Sequence, residues 1–250
     1  MPSILDTAAG RLAAGLLLAT LVALLARRAR VLAPTGALAA VATGALAVGA
    51  GWAWGVLLVV FFAASTLVSR PGAAIRAART AQVVAKGGER DGAQVLANGG
   101  VFALAALGAM LAPHPAWGAV ALGALAAAIS DTWATEIGTL ARGQPRSILT
   151  GRAVPHGTSG GVSVQGTLAS LAGAAGGVAG ATADSLLGAT LQARRWCDRC
   201  EMATERNVHG CGEDTRLAGG IGWLDNDAVN AAATAVGAVV AMVVVVAVHA

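Results

Sequence analysis

Two carboxylates, Asp131 and Glu136, lie near the end of a long apolar run, in the segment SDTWATEIG (130–138). A charged side chain at membrane depth is costly, so it usually faces a protein interior or a water-filled cavity and marks an ion or substrate pathway. Their five-residue spacing separates them by about 140° on an ideal helix, so they share a face only if the helix breaks or ends. We interpret both as candidate catalytic residues; a polar pair that packs helices together is the alternative.

Acidic and amide side chains recur later in the chain. Asp184 lies in a glycine-rich apolar stretch, and Asp227 and Asn230 share a helix face in LDNDAVN (224–230), at the start of the last apolar run. Hard oxygen ligands of this kind suit Mg²⁺, which is typically held by one or two carboxylates plus the phosphates of a substrate. An N-terminal helix cap is the alternative for Asp225 or Asn226.

Two loops carry basic side chains that could hold phosphate. In KGGERDGAQVLAN (86–98), Lys86 and Arg90 lie beside flexible glycines, and Asn98 follows on a helix face. A basic loop that fixes topology and touches lipid head groups is the alternative for this segment.

The second loop, PRSILTGRAVPHGTSGGVS (145–163), contains Arg146 and Arg152 and runs into a predicted helix. The free N–H groups at a helix start bind anions, so its glycine-rich stretch is a candidate phosphate site, with a plain helix cap at Thr158 or Ser159 as the alternative. The chain contains no GxxxxGK[ST] pattern, so it is not a P-loop protein. The predicted phosphate-binding residues of this stretch are Gly157, Thr158, Ser159 and Gly160.

The three cysteines of the chain lie close together. Cys197 and Cys200 are followed by His209 and Cys211, four ligands of the right type to close a tetrahedral structural zinc site. A disulfide is the alternative, but it would leave one cysteine over, and the expected side of the membrane is reducing.

Composition sets the fold class. Of 250 residues, 56% are apolar and only 12% are charged, against about 25% charged residues in soluble domains. Alanine and glycine dominate, which suits helices that pack through small residues. We predict an all-α, polytopic integral membrane bundle, a single transmembrane domain over 1–250 with about six to eight transmembrane helices, some short or broken. The expected spans are Leu12–Ala26, Gly36–Ala50, Trp52–Ser69, Ala93–Leu111, Trp117–Ile137, Val162–Leu191 and Ala228–Val248.

Basic residues concentrate in the loops 27–30, 70–90 and 142–152 between the apolar spans. Under the positive-inside rule these loops are cytoplasmic and the N-terminus is outside. We therefore expect a multi-pass protein of an inner or plasma membrane, with its active site facing the cytoplasm and a cytoplasmic Cys/His loop at 194–223. Because topology explains the net charge of +4, we predict no nucleic-acid partner.

Four segments of the chain together resemble the domain-of-unknown-function family 92. They are SDTWATEIG (130–138), the 145–163 segment, DSLLGATLQ (184–192) and LDNDAVN (224–230). This family includes the transmembrane-protein-19-like proteins and the phytyl-phosphate kinase of plant and cyanobacterial vitamin E synthesis. The resemblance covers most of the chain, with the family motifs over 70–230. For the characterised branch it implies transfer of a phosphoryl group from a nucleoside triphosphate, CTP or ATP, to an isoprenoid monophosphate lipid in the bilayer.

The residue inventory agrees with that reaction, since phosphoryl transfer needs Mg²⁺ and cations that gather and align phosphates. We assign Asp131, Glu136, Asp184 and Asp227 to metal or nucleophile positioning, the magnesium ligands being the three aspartates. The residues assigned to substrate or phosphate binding, besides the glycine-rich stretch, are Lys86, Arg90, Asn98, Arg146, Arg152 and Asn230. A lipid-phosphate cytidylyltransferase is the alternative within enzymes, and a secondary transporter is the alternative from another class, because broken helices and midplane acids also build transporters.

Overall fold

The computed structural model describes Leu5 and residues 7–85, 88–173 and 178–249. Over these ranges the chain is mainly helical, which confirms the predicted helical bundle. Each expected apolar span coincides with one helix, except that Val162–Leu191 forms two. The helices are α1 (Ala8–Arg28), α2 (Pro34–Ala50), α3 (Trp52–Ser69), α4 (Ala73–Thr80), α5 (Gly92–Leu111), α6 (Ala116–Leu140), α7 (Val164–Gly173), α8 (Val178–Thr190) and α9 (Asn226–His249).

The outer surface of the bundle is apolar. Among the described residues, α1, α3 and α5 are long and apolar enough to cross a bilayer, and α2 is a shorter apolar helix. Leu17 on α1 is 73% exposed and Leu104 on α5 is 67% exposed. Large apolar side chains that face outward along whole helices fit a surface that contacts lipid.

Helix α6 forms the centre of the bundle and packs against α3, α4, α5, α7, α8 and α9. Small residues allow this close packing, since Ala124 and Ala128 of α6 are buried. A Cβ atom added at Gly123 would lie 2.3 Å from the backbone oxygen of Gly237 in α9. The two backbones therefore touch where neither has a side chain.

One end of the bundle gathers the polar loops. The loop after α1 pairs with the loop before α5: the N–H of Arg90 donates to the oxygen of Val31 (2.9 Å), and the N–H of Ala33 donates to the oxygen of Arg90 (2.9 Å). The short helix α4 lies beside the C-terminal end of α6, where Arg79 donates to the backbone oxygens of Thr139 and Ala141. We refer to this end as the polar end.

The stretch from Val162 to Leu191 is too long for one simple crossing, which predicts a helix followed by a short or broken return helix, and the structure has α7 and α8 there. Residues 174–177 between them lie outside the described part of the chain. At 1.5 Å per residue the two helices are about 15 and 20 Å long, shorter than the roughly 30 Å hydrocarbon core. Both the start of α7 and the end of α8 lie at the polar end, because Ser159 and Gln192 bind the same side chain, Glu205.

Short strands hold the loops of the polar end. Strands β1 (Arg146–Ser147) and β2 (Gly161–Val162) pair antiparallel, Arg146 opposite Val162. Strands β3 (Arg194–Cys197), β4 (Met202–Thr204) and β5 (Arg216–Gly219) form an antiparallel sheet with β3 in the middle. We call residues 194–219 the Cys/His module. The sequence predicted a loop here, because strands of three or four residues carry little periodic pattern.

Candidate active site

A polar cavity of about 1120 Å³ lies at the polar end, between the ends of α3, α6 and α8 and the starts of α5 and α9. Most of the predicted site residues line it, although they come from widely separated parts of the chain. These residues are Arg90, Asn98, Asp131, Glu136, Gly157, Thr158, Ser159, Gly160, Asp184, Asp227 and Asn230.

Two acids meet inside this cavity. Asp131 on α6 and Asp184 on α8 line it side by side and interact with each other. Oδ1 of Asp184 is buried and has no hydrogen-bond partner among the described residues. Two neighbouring carboxyl groups, one of them with an unpartnered oxygen, form a donor set that suits a divalent cation, which would neutralise the repulsion between the two carboxylates.

The third predicted magnesium ligand, Asp227, is in the first turn of α9 and lines the same cavity. Within the described ranges it does not join Asp131 and Asp184 in a ligand cluster of three. Asp225 caps α9, because its Oδ1 accepts the N–H of Ala228 (3.0 Å). The helix-cap alternative therefore holds for Asp225, whereas Asp227 lies one position inside the helix start.

Glu136 is bound to cations rather than to the acids. Its Oε2 lies 2.5 Å from Nε of Arg76, and its Oε1 accepts the hydroxyl of Ser69 (2.7 Å). The same hydroxyl oxygen accepts Nη2 of Arg90 (3.1 Å). Burial lowers the pKa of the Arg90 guanidinium below its ordinary value, while the charge of Glu136 opposes that shift. Glu136 thus orients arginines at the cavity wall.

The cationic side of the cavity differs from the predicted one. Arg146 and Arg152 are not among the lining residues, because they belong to the turn around β1, where Nη1 of Arg146 donates to the backbone oxygen of Gly151 (2.8 Å). Lys86 lies outside the described residues. The lining cations that the sequence reasoning missed are Arg30, Arg70 and Arg195.

The glycine-rich stretch 157–161 forms a turn at the cavity rim and does not begin a helix. Helix α7 starts at Val164 and is capped by Ser163, whose Oγ accepts the N–H of Gly166 (3.1 Å). Gly157 and Gly160 have φ angles of +86° and +72°, in the left-handed region that favours glycine. The turn therefore presents backbone to the cavity, and neither Thr158 nor Ser159 caps the helix.

Two further polar side chains of this rim were missed from the sequence. His156 lines the cavity, its Nδ1 is buried with no partner among the described residues, and burial together with Arg79 lowers its pKa. Glu205 accepts the hydroxyl of Ser159 (2.8 Å) and the amide of Gln192 (2.8 Å). Burial raises the pKa of Glu205, and these hydrogen bonds oppose the shift. His156 precedes GTSGG directly and could have been suspected, whereas nothing local marks Glu205.

An apolar groove of about 350 Å³ lies between α1, α2, α3 and α5. It runs along α3 from Ser65 to Trp52, about 20 Å at 1.5 Å per residue. The groove and the polar cavity have four lining residues in common: Arg90, Gln94, Asn98 and Thr132. A polar compartment and an apolar compartment therefore meet at Arg90, whose side chain is partly buried.

The predicted zinc ligands lie in the Cys/His module. The ligand atoms of Cys197, Cys200, His209 and Cys211 are all within 4.8 Å of one another. The structure thus brings these four side chains together at one point, in a part of the chain that contains neither Asp131 nor Asp184.

Comparison with known proteins gives a family match. The family model described as "Integral membrane protein DUF92" matches residues 17–176 and 174–238. Protein PGR of Arabidopsis thaliana is 28% identical over 231 residues, which cover 72% of this chain and 77% of that protein. The uncharacterized membrane protein MJ0933 of Methanocaldococcus jannaschii is 34% identical over 164 residues, which cover 57% of this chain and 66% of that protein. No solved structure matches significantly.

Proposed function

This chain belongs to the integral membrane protein family DUF92, and we propose that it is a membrane-embedded, Mg²⁺-dependent phosphotransferase. It transfers a phosphoryl group from a nucleoside triphosphate, CTP or ATP, to an isoprenoid monophosphate of the phytyl or prenyl type. The products are the isoprenoid diphosphate and the nucleoside diphosphate.

The observation that carries the proposal is the junction of the polar cavity with the apolar groove at Arg90 and Asn98. An amphiphile with an anionic head and a long apolar tail fits both compartments at once. The groove is about 20 Å long, roughly two thirds of the hydrocarbon thickness of a bilayer, so it suits a lipid tail rather than a small soluble substrate. Arg90 lines both compartments, where it would bind the head-group phosphate.

Different walls of the cavity carry the arginines and the aspartates that phosphoryl transfer would need. Arg30, Arg70 and Arg90 line the side formed by the loop after α1, the end of α3 and the start of α5. Asp131 and Asp184 line the side formed by α6 and α8. Bound Mg²⁺ would neutralise charge on the donor phosphates, and the two aspartates are the residues that would hold it.

The chain's own residues then align the reactants. The arginines hold the acceptor phosphate so that one of its oxygens attacks the γ-phosphorus of the donor. A new P–O bond forms, and the bond from the γ-phosphorus to the β–γ bridging oxygen breaks, so the nucleoside diphosphate leaves. Positioning and charge stabilisation supply most of the rate in such a reaction. Glu136 contributes by fixing Arg76 and, through Ser69, Arg90.

Charge distribution supports a cytoplasmic opening for the cavity. The basic loops 27–30, 70–90 and 142–152 all belong to the polar end, whereas the connections 49–52 and 112–116 at the other end contain no Lys or Arg. Because positive loops remain in the cytoplasm, the polar end faces the cytoplasm of a multi-pass protein.

The test uses purified protein in lipid nanodiscs with Mg²⁺, a panel of isoprenyl monophosphates and triphosphates labelled at either the α- or the γ-phosphorus. We expect γ-label in a lipid diphosphate. Appearance of α-label in the lipid would replace the kinase with a cytidylyltransferase. No label in lipid with either donor, together with flux of the lipid phosphate across proteoliposomes, would replace it with a transporter.

Asp131→Asn tests the acid pair. Loss of one carboxylate from the metal site is expected to lower kcat by about 10³-fold, about 4 kcal/mol. Asn keeps the shape and relieves the repulsion with Asp184, so the thermal midpoint is expected to stay the same or rise. Asp214→Asn, at an exposed position outside the cavity, is the control and should keep full activity. A fully active Asp131→Asn variant would remove Asp131 from the site.

A further inference from the structure

The four ligand atoms of the Cys/His module have the spacing of a tetrahedral metal site. Sγ of Cys197 lies 3.7 Å from Sγ of Cys211, and Nδ1 of His209 lies 3.3 Å from the same sulfur. With bonds of about 2.3 Å to sulfur and about 2.05 Å to nitrogen, tetrahedral zinc places two sulfurs about 3.8 Å apart and a sulfur and nitrogen about 3.6 Å apart. Cys200 completes the set within 4.8 Å.

Apart from the hydrogen bonds of its small sheet, the module has little buried core to hold its shape. Its buried side chains are Cys197, Thr204, His209 and Thr215, none of them a large apolar residue. Segments below about 40 residues usually need disulfides, metals or oligomerisation to be stable. All three cysteines are free thiols, and a disulfide between any two would leave the third unused.

The module is attached to the cavity rim at several points. The N–H of Glu205 donates to the backbone oxygen of Val83 (2.9 Å), and Nε of Arg206 donates to that of Val84 (3.0 Å). On its other side, Glu205 binds Ser159 of the glycine-rich turn and Gln192 at the end of α8. The residues directly after strand β4 therefore connect the segment after α4, the glycine-rich turn and the end of α8 around the cavity mouth.

We propose that Cys197, Cys200, His209 and Cys211 bind one structural Zn²⁺, and that this ion, by fixing the module, fixes the position of the glycine-rich turn 157–161. The three thiolates and the imidazole leave no open coordination position, so the ion is structural and takes no part in phosphate chemistry. The site is distinct from the aspartate pair and does not depend on the proposed activity.

The first experiment measures metal content in protein purified without a polyhistidine tag. We expect about one zinc per chain, and replacement by Co²⁺ should give the absorption of a tetrahedral thiolate complex. Cys200→Ser removes the one exposed ligand and leaves the buried ones in place, so it is the variant least prone to misfolding. Arg199→Ser, an exposed neighbour in the same turn, is the matched control and should keep its zinc.

The second experiment uses amide hydrogen exchange on the same three proteins. The reporters are the N–H groups of Thr158 and Gly161, which donate within the turn, and that of Glu205. Loss of zinc in Cys200→Ser should speed exchange at these amides by about tenfold or more, with little change in α5 and α6.

The zinc site would be overturned if the wild-type protein contains no zinc and, after reduction, takes up neither Zn²⁺ nor Co²⁺. It would also be overturned if the Cys200→Ser variant retains one zinc per chain. Zinc binding with unchanged exchange at Thr158 and Gly161 would overturn the link to the turn. Because neither measurement uses turnover, a failed kinase assay leaves both results interpretable.

Discussion

Gly160 is the point at which the cavity rim tolerates least added volume. A Cβ atom at this position would lie 2.3 Å from Cβ of Ala189 and 2.9 Å from the backbone oxygen of Ser185. Carbon atoms normally approach to about 3.5 Å, so the turn must move about 1.2 Å away from α8 in Gly160→Ala. A 1 Å misplacement of positioning groups can cost about 10² in rate. We therefore expect kcat/KM to fall about a hundredfold, close to 2.7 kcal/mol.

An alanine at the φ of +72° found at Gly160 would also have backbone strain of about 1 to 2 kcal/mol. The effect of this strain on activity must be separated from the effect of the displacement. Gly151→Ala is the matched control, since Gly151 has a φ of +67° and no atom within 4 Å of its Cβ position. It carries the same strain without the collision. In a Gly160→Ala/Ala189→Gly double variant the nearest remaining atoms are at 2.9 Å, so the required shift falls to about 0.6 Å and activity should recover in part.

The assay is the initial rate of γ-label transfer to an isoprenyl monophosphate in nanodiscs, with thermal midpoints measured in parallel. We expect a large rate loss in Gly160→Ala, a small one in Gly151→Ala and an intermediate one in the double variant. If Gly160→Ala and Gly151→Ala lose activity equally, the turn does not position the reacting groups and the displacement argument fails.

Two further predictions concern stability. Gly123→Val forces α6 away from Gly237 of α9 and should lower the free energy of unfolding by about 1 to 3 kcal/mol, which lowers the thermal midpoint by several degrees. Gly118→Val on the same helix is the control, because no atom lies within 4 Å of the Cβ position of Gly118. Equal losses of stability in the two variants would contradict the close packing of α6 on α9. The raised pKa of Glu205, caused first by burial and in part by Asp225, means that the native state keeps a proton that the unfolded chain loses near pH 4.5. Stability should therefore fall as pH rises from 4.5 through the folded pKa, and Glu205→Gln should remove that dependence of the thermal midpoint; an unchanged pH profile would show that Glu205 is not the cause.

The membrane helices were predictable from hydropathy, because the free-energy cost of exposing apolar side chains to water or burying charged ones depends on the composition of each segment alone. The apolar runs became helices close to their expected bounds, and Asp131 and Asp184 stood out because a carboxylate inside an apolar run needs a reason. Glu136 stood out equally, yet nothing local predicted its contacts with Ser69 and Arg76, which lie 67 and 60 residues away in the chain. Arg146 and Arg152 looked like phosphate ligands for the same local reason and lie outside the cavity lining.

Composition and the order of polar residues along the chain were enough to determine a helical membrane bundle with acids and arginines at one end and four metal-type ligands in one segment. Tertiary structure alone decided which of these residues share a cavity, that the cavity meets an apolar groove at Arg90, and that Glu205 joins the Cys/His module to the glycine-rich turn. The physical reason is that helix formation and membrane insertion depend on neighbours a few residues away in the chain. The side chains of a cavity wall come from distant parts of the chain, and their distance in sequence does not indicate their distance in space.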